Sequence, residues 1–162
     1  MDPNNHIALL PNPASSKSID MAHVIASHLT GRQLNFSFHS LVWPEKLEGF
    51  SSIWIIGGDG TLHYFLNRFP DCDRPLAIFP GGTGNDFHWH LYGAIPLGVQ
   101  LARVLEGNLQ STDAGSCNGK VFINGLGIGF DGAICKDLSG RKKSPGKTSY
   151  LLSALKQIST MW

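Results

Sequence analysis

The sequence predicts an α/β fold, a mostly parallel sheet flanked by helices. Three observations carry this prediction. Ile53-Trp54-Ile55-Ile56 is an unbroken apolar run, read as a strand buried on both faces. It leads through Gly57-Gly58-Asp59-Gly60-Thr61 into helical apolar spacing at Leu62, Phe65, Leu66 and Phe69. Leu76-Ala77-Ile78-Phe79 repeats the strand-to-glycine-loop pattern through Pro80-Gly81-Gly82-Thr83-Gly84-Asn85-Asp86-Phe87. Between and around these runs lie stretches with the apolar period of a surface helix.

Taken in order, Ile7 to Leu10 is a first short strand, stopped by Pro11-Asn12-Pro13. Asn12 falls at the strand's C-terminal edge, where open α/β sheets bind ligands. Ser15, Ser16 or Ser18 caps the next helix, which carries Ile19, Ala22, Val24, Ile25, Ala26 and Leu29 and ends at Gly31. Leu34-Asn35-Phe36-Ser37-Phe38 alternates as a strand with one wet face. The connection from there to Ile53 is too short for a full crossover helix, although Pro44-Glu45-Lys46-Leu47-Glu48 suits one helical turn. Pro96 to Glu106 reads as a helix, with Leu97, Leu101, Val104 and Leu105 on one face and Gly107 after it. From Gln110 the texture shifts, and β-structure with close turns is expected through Val121-Phe122-Ile123-Asn124 and residues 125–132. A boundary near 110–114 divides the chain into domains 1–112 and 113–162. The second domain carries an amphipathic helix over 147–160, with Tyr150, Leu151, Leu152, Leu155 and Ile158.

The two glycine loops carry the chemistry. A strand feeding a glycine loop and then a helix aims free N–H groups and a positive dipole end at one point, which phosphate typically fills. Asp59 would repel phosphate unless a cation lay between, so it points to Mg²⁺, held directly or through water. In the second loop, Thr83 and Asn85 can hydrogen-bond phosphate or ribose. Asp86 can hold a neighbouring loop, hold a metal or cap a helix. Two such loops on neighbouring parallel strands open on the same sheet edge and make a cleft.

Composition bounds the rest. The 162 residues carry 13 Lys and Arg against 12 Asp and Glu, a net charge of +1 that gives no reason to expect nucleic-acid binding. Three cysteines, Cys72, Cys117 and Cys135, form no paired motif, so a reduced, cytoplasmic setting is expected. No signal-peptide pattern and no membrane-length apolar run is present, which limits membrane contact to the periphery. The basic run Arg141-Lys142-Lys143 with Lys147 is the candidate for attracting an anionic inner-membrane surface.

Several motifs fail. Gly146-Lys147-Thr148 lacks the glycine of a P-loop, because Arg141 stands there. Gly125-x-Gly127-x-Gly129 is followed by Phe130 and is not a dinucleotide fingerprint. His88 and His90 have no partners at zinc-site spacing, and no nucleophile-elbow serine exists.

In combination and order, these motifs resemble the diacylglycerol kinase catalytic-domain family, nearest its bacterial soluble lipid kinases and related to sphingosine kinase and NAD kinase. The resemblance rests on Asn12-Pro13, Gly57 to Thr61, Pro80 to Phe87, Gly127-Ile128-Gly129-Phe130-Asp131 and Gly146-Lys147-x-x-Tyr150-Leu151-Leu152. It implies a Rossmann-like domain followed by a β-sandwich, here only its incomplete start, with ATP and Mg²⁺ bound in the cleft. Carried over by position, the nucleotide-binding residues are Asn12, Ser40, Gly57, Gly58, Asp59, Gly60, Thr61, Leu62, His63, Gly82, Thr83, Gly84, Asn85 and Asp86. Asp59 would serve the metal. The implied reaction is transfer of the ATP γ-phosphoryl to a lipid hydroxyl such as that of diacylglycerol. The alternatives are an NAD kinase-like phosphotransferase and a non-catalytic nucleotide-binding module.

Two departures stand out. His63-Tyr64 replaces the Asn-Glu usual after this glycine loop, and the Asp-Gly-Glu motif that supplies the family's base is absent. The catalytic base is therefore unassigned, and this chain alone is expected to turn over little or nothing. An unfinished sandwich with open strand edges further implies pairing, including a homodimer.

Overall fold

The computed structural model describes residues 5–139 and 147–160. They fall into two compact units, 1–123 and 124–162.

The first unit is built on a four-stranded, wholly parallel sheet. Its strands are β1 (His6–Pro11), β2 (Asn35–Phe38), β3 (Ser52–Gly57) and β4 (Leu76–Pro80), in spatial order β2-β1-β3-β4. β1 and β3 are central, and their near-continuous apolar sequences follow from burial on both faces. Alternate side chains divide between two cores. Ile7, Leu9, Trp54, Ile56, Ala77 and Phe79 face helices α1 (Ser16–Gly31) and α4 (Leu97–Leu105). Ala8, Leu10, Ile53, Ile55 and Ile78 face α2 (Asp59–Arg68) and α3 (Asp86–Tyr92).

The expected helical turn at 44–48 does not form. The 39–51 connection instead lays Trp43, Leu47 and Phe50 directly on the second core. The buried Trp43 indole Nε1 donates to the Pro11 carbonyl at 2.8 Å, so one large side chain covers the sheet where a crossover helix does not fit.

Ser15 is the N-cap of α1, its hydroxyl accepting from Ser18 N at 3.3 Å. Pro96 occupies the N-cap of α4, as its position before the apolar face predicts. The strand order reverses between β1 and β3. Asn12 and the first glycine loop emerge on either side of this switch point, the place where open α/β sheets bind ligands.

Beyond α4, β5 (Gly115–Cys117) and β6 (Lys120–Phe122) form an antiparallel hairpin. It packs on α2 through Asn67, whose amide donates to Val121 O at 2.9 Å and accepts from Val121 N at 3.0 Å. That bond pair mimics a strand partner and holds the hairpin within the first unit. The two compact units meet after Ile123. Asn67→Ala is expected to lose about 1–3 kcal/mol, because it orphans both Val121 groups. Urea denaturation checks the loss, and faster amide exchange at 115–122 should accompany it.

In the second unit, the β-structure expected over 125–132 is corrected. α5 (Phe130–Ser139) begins there, with Ala133 N bonding to Gly129 O at 2.9 Å. Phe130, Ile134 and Leu138 at fourfold spacing carried the helical signal, which the glycine-rich approach masked. Among the described residues beyond α4, β-structure is confined to the β5–β6 hairpin. Helix α6 (Lys147–Thr160) forms over the span predicted for it. It packs on α5 through Asp137, which accepts from Ser153 Oγ at 2.8 Å and Lys156 Nζ at 2.9 Å. The expected apolar face of α6 is turned out instead: Leu151, Leu152, Leu155 and Ile158 are exposed. The basic residues 141–143 lie outside the described residues, as does Gly146.

Candidate functional site

The site is the C-terminal edge of the sheet. Gly57 ends β3 and pairs with Pro80, which ends β4, so both glycine loops leave the same edge side by side. They touch backbone to backbone: a Cβ on Gly82 would lie 2.5 Å from Gly58 Cα and 2.9 Å from Gly58 N. Gly81 N donates to Gly57 O at 3.0 Å, extending the ladder into the loops. Such proximity requires glycine at both positions.

Three further contacts fix the loops. Asp59, the first residue of α2, reaches across to α3, its Oδ2 accepting from Asp86 N at 3.0 Å and its Oδ1 from Phe87 N at 2.8 Å. It serves as a remote cap for a helix whose own N-cap, Asn85, makes no side-chain cap bond. The Asn85 amide is turned into its own loop instead. Its Oδ1 accepts from Gly82 N at 2.8 Å and Gly81 N at 3.3 Å, and its Nδ2 donates to Gly82 O at 3.1 Å. This folding back uses left-handed backbone at Asn85 (φ 64°), which asparagine tolerates. From the other side of the sheet, the hydroxyls of Ser15 and buried Ser18 both donate to Gly81 O at 3.1 Å.

Asn12 bridges β1 to the first loop. Its N donates to Ile56 O at 2.9 Å, its Oδ1 accepts from Ala14 N at 3.0 Å, and its Nδ2 donates to Thr61 Oγ1 at 3.3 Å. Thr61 lies over Gly57, where a Cβ would strike its side chain.

The edge thus brings together Asn12, Gly57, Gly58, Asp59, Gly60, Thr61, Gly82, Thr83, Gly84, Asn85 and Asp86. Ser40 follows β2 on the same edge, one strand further out. Two residues fit a ligand-facing role poorly. Leu62 is buried in the second core and its N–H donates to Gly58 O at 3.2 Å, while Asn85 is committed to its own loop. His63 is exposed one turn into α2, where its carbonyl accepts from Asn67. Tyr64 stands where the resembled pattern has a carboxylate. Its ring lies 5.5 Å from Trp43 and its hydroxyl takes a bond from Arg68 Nη1 at 3.0 Å.

The donors left over define what the edge can do. Gly58, the N-cap of α2, offers no side chain to its first turn. Among the described residues, the N–H groups of Gly60, Thr83 and Gly84 have no protein acceptor. All three residues are exposed at the mouth. Backbone donors beside a helix N-terminus recognise an anion by geometry and dipole together. The carboxylates of Asp59 and Asp86 flank the same point, 3.3 and 3.7 Å from a Cβ built on Gly84. A hard divalent cation accepts such oxygens, completing its shell from phosphate and water.

Residues 6–117 match the diacylglycerol kinase catalytic domain. The chain belongs to that family. It is 29% identical over 170 residues to "Probable lipid kinase YegS-like" of Pseudomonas aeruginosa (strain UCBPP-PA14), covering 98% of this chain and 56% of that protein. It is 32% identical over 109 residues to "Putative lipid kinase SH2167" of Staphylococcus haemolyticus, covering 65% and 35%. The chain therefore spans between about a third and just over half of these relatives. No described helix is long and apolar enough to cross a membrane.

Sequence reasoning missed the supports of this kinase-family edge. Gln100, buried on α4, donates from Nε2 to Ile78 O at 2.7 Å. Its Oε1 must then accept from His88 Nε2–H at 3.1 Å, which fixes the tautomer of that ring. Tyr92 joins the group, and burial raises its pKa against the smaller opposing pull of bonds to Ile78 and Gln100. Together these ties hold α3, and with it the second loop, against β4. A lone glutamine within an apolar helix face was the available signal.

Proposed function

We propose that this chain is the nucleotide-binding part of a lipid kinase that transfers the γ-phosphoryl of ATP to a lipid hydroxyl such as that of diacylglycerol. The observation that carries the reading is the direct contact of the two glycine loops at one sheet edge, with the N–H groups of Gly60, Thr83 and Gly84 open at its mouth. Family membership and the names of the longer relatives support the lipid half of the proposal. Phosphoryl transfer asks mainly for positioning and charge neutralisation, which this edge is built to supply. Asp59 and Asp86 would hold Mg²⁺, in part through water, and the ion would supply neutralisation of phosphate charge. No residue of this chain is assigned as the base that takes the lipid proton. Contact with a membrane periphery and homodimerisation belong to the same proposal.

Titration with Mg·ATP, followed by amide NMR, tests the reading. Shifts at Gly58, Gly60, Thr83 and Gly84 at millimolar ligand are expected, and unmoved amides would overturn it. A radiolabel assay offering NAD and mixed lipids together tests the acceptor. Label in the lipid phase, however slowly formed, supports the lipid reading, whereas label in NAD replaces it with the NAD kinase-like one.

A further inference from the structure

We propose that His6, Phe50 and His39 form an acid-sensitive latch that closes the base of the 39–51 connection. His39 begins this connection directly after β2, and Phe50 ends it just before β3. The Phe50 and His39 rings meet nearly perpendicular with centroids 5.8 Å apart, and the Phe50 ring lies 4.9 Å from the ring of His6 on β1. The two ends of the connection are thereby clasped through one aromatic ring. Backbone bonds from His39 N to Leu9 O at 3.0 Å and from Ser51 N to His6 O at 2.8 Å secure the same ends. Between them the connection has no helix or strand of its own and relies on Trp43, Leu47 and Phe50 for its hold on the core. Such segments occupy the low end of local stability.

The anomaly is His39 Nε2, which is buried with no hydrogen-bond partner among the described residues. A neutral imidazole tolerates this at modest cost; charging the half-buried ring costs more, because its shielded Nε2–H meets no acceptor. The groups facing it offer no relief. From β1 comes His6, of the same sign once protonated, with its Nε2 bonded to Ser37 Oγ of β2 at 2.9 Å. From the connection comes the Phe50 ring. Lys46 and Glu48 of the same segment pair with each other out in solvent. Burial first, and His6 second, hold the His39 pKa below its ordinary 6.5.

The sign follows. A base whose folded pKa is depressed adds stability above its unfolded pKa, and that stability is lost as pH falls through the folded value. Acidification below about 6.5 therefore loosens the latch and frees Trp43 from Pro11 O. Ser40, next to His39, moves with it. Any consequence for nucleotide binding rests on the reading above, whereas the latch itself does not.

Hydrogen exchange of the nucleotide-free chain at pH 7.5 and 5.5, corrected for intrinsic rates, tests the latch. Exchange across 39–51 is expected to rise at least about fivefold more than across α2, and His39→Phe should abolish the difference. An equal rise in both segments, or an unchanged rise in the variant, overturns the proposal. A second measurement on the unmodified chain guards against a variant that fails to fold. The His39 ring proton and the Trp43 indole N–H should titrate together below pH 6.5, and uncoupled midpoints count against the latch.

Discussion

Gly82→Ala is expected to lower Mg·ATP affinity by about 10- to 100-fold. The added methyl would sit 2.5 Å from Gly58 Cα and 2.9 Å from Gly58 N, both backbone atoms that no rotamer change can move aside. The loops must separate, and overpacking of this kind costs about 1–3 kcal/mol. If the strain falls on the bound geometry, that range corresponds to roughly one to two powers of ten in dissociation constant. Gly98→Ala is the control. It lies on α4 with nothing within 4 Å of the new Cβ, and it should leave affinity unchanged while adding about 0.5–1 kcal/mol of stability. Calorimetric titration of both variants decides the matter, and wild-type affinity in Gly82→Ala would show that the loops do not act as one cradle.

Asp59→Ala is expected to destabilise the first unit by about 2–3 kcal/mol and to abolish measurable nucleotide binding. Its carboxylate accepts from Asp86 N and Phe87 N, so its loss orphans two donors at the start of α3 and unties the loops. Partial exposure of the pair places the cost toward the lower end of the range for charged acceptors. Asp59→Asn separates this cap from the metal role. The amide keeps one acceptor oxygen and should retain about half of the lost stability, whereas a role in holding Mg²⁺ requires the charge. Urea denaturation reads the first effect, and the Mg²⁺ dependence of ATP affinity reads the second. An Asp59→Asn chain with reduced stability but unaltered Mg²⁺ dependence would leave Asp59 as a cap alone.

Much of the architecture was legible because it is written in local pattern. Strands buried on both faces read as apolar runs, and β1, β3 and β4 lie where such runs stand, while β2 lies on the alternating stretch 34–38. α1 and α4 followed from their terminal signals and apolar period, and the span of α6 from its apolar residues alone. α5 was hidden behind glycines whose turn signal outweighed its fourfold spacing. The tie of the β5–β6 hairpin to α2 was not legible, because Asn67, a surface helical residue by sequence, is a strand partner in space.

At the site, residue types pointed correctly to two glycine loops on one edge, since a parallel strand pair leaves no other place for them. Individual roles were less accessible. Asn85 reads as a ligand contact yet satisfies Gly81 and Gly82, and Leu62 reads as part of the loop yet belongs to the core.

What the sequence determined by itself is the alternation of strand, glycine loop and helix, because burial period and turn chemistry act over a few neighbouring residues. Only the tertiary structure decided that Asp59 caps α3, that Gly58 and Gly82 exclude every side chain between them, and that Asn67 binds Val121. These partners stand tens of residues apart in the chain, and no local pattern states which backbone group will face a given side chain.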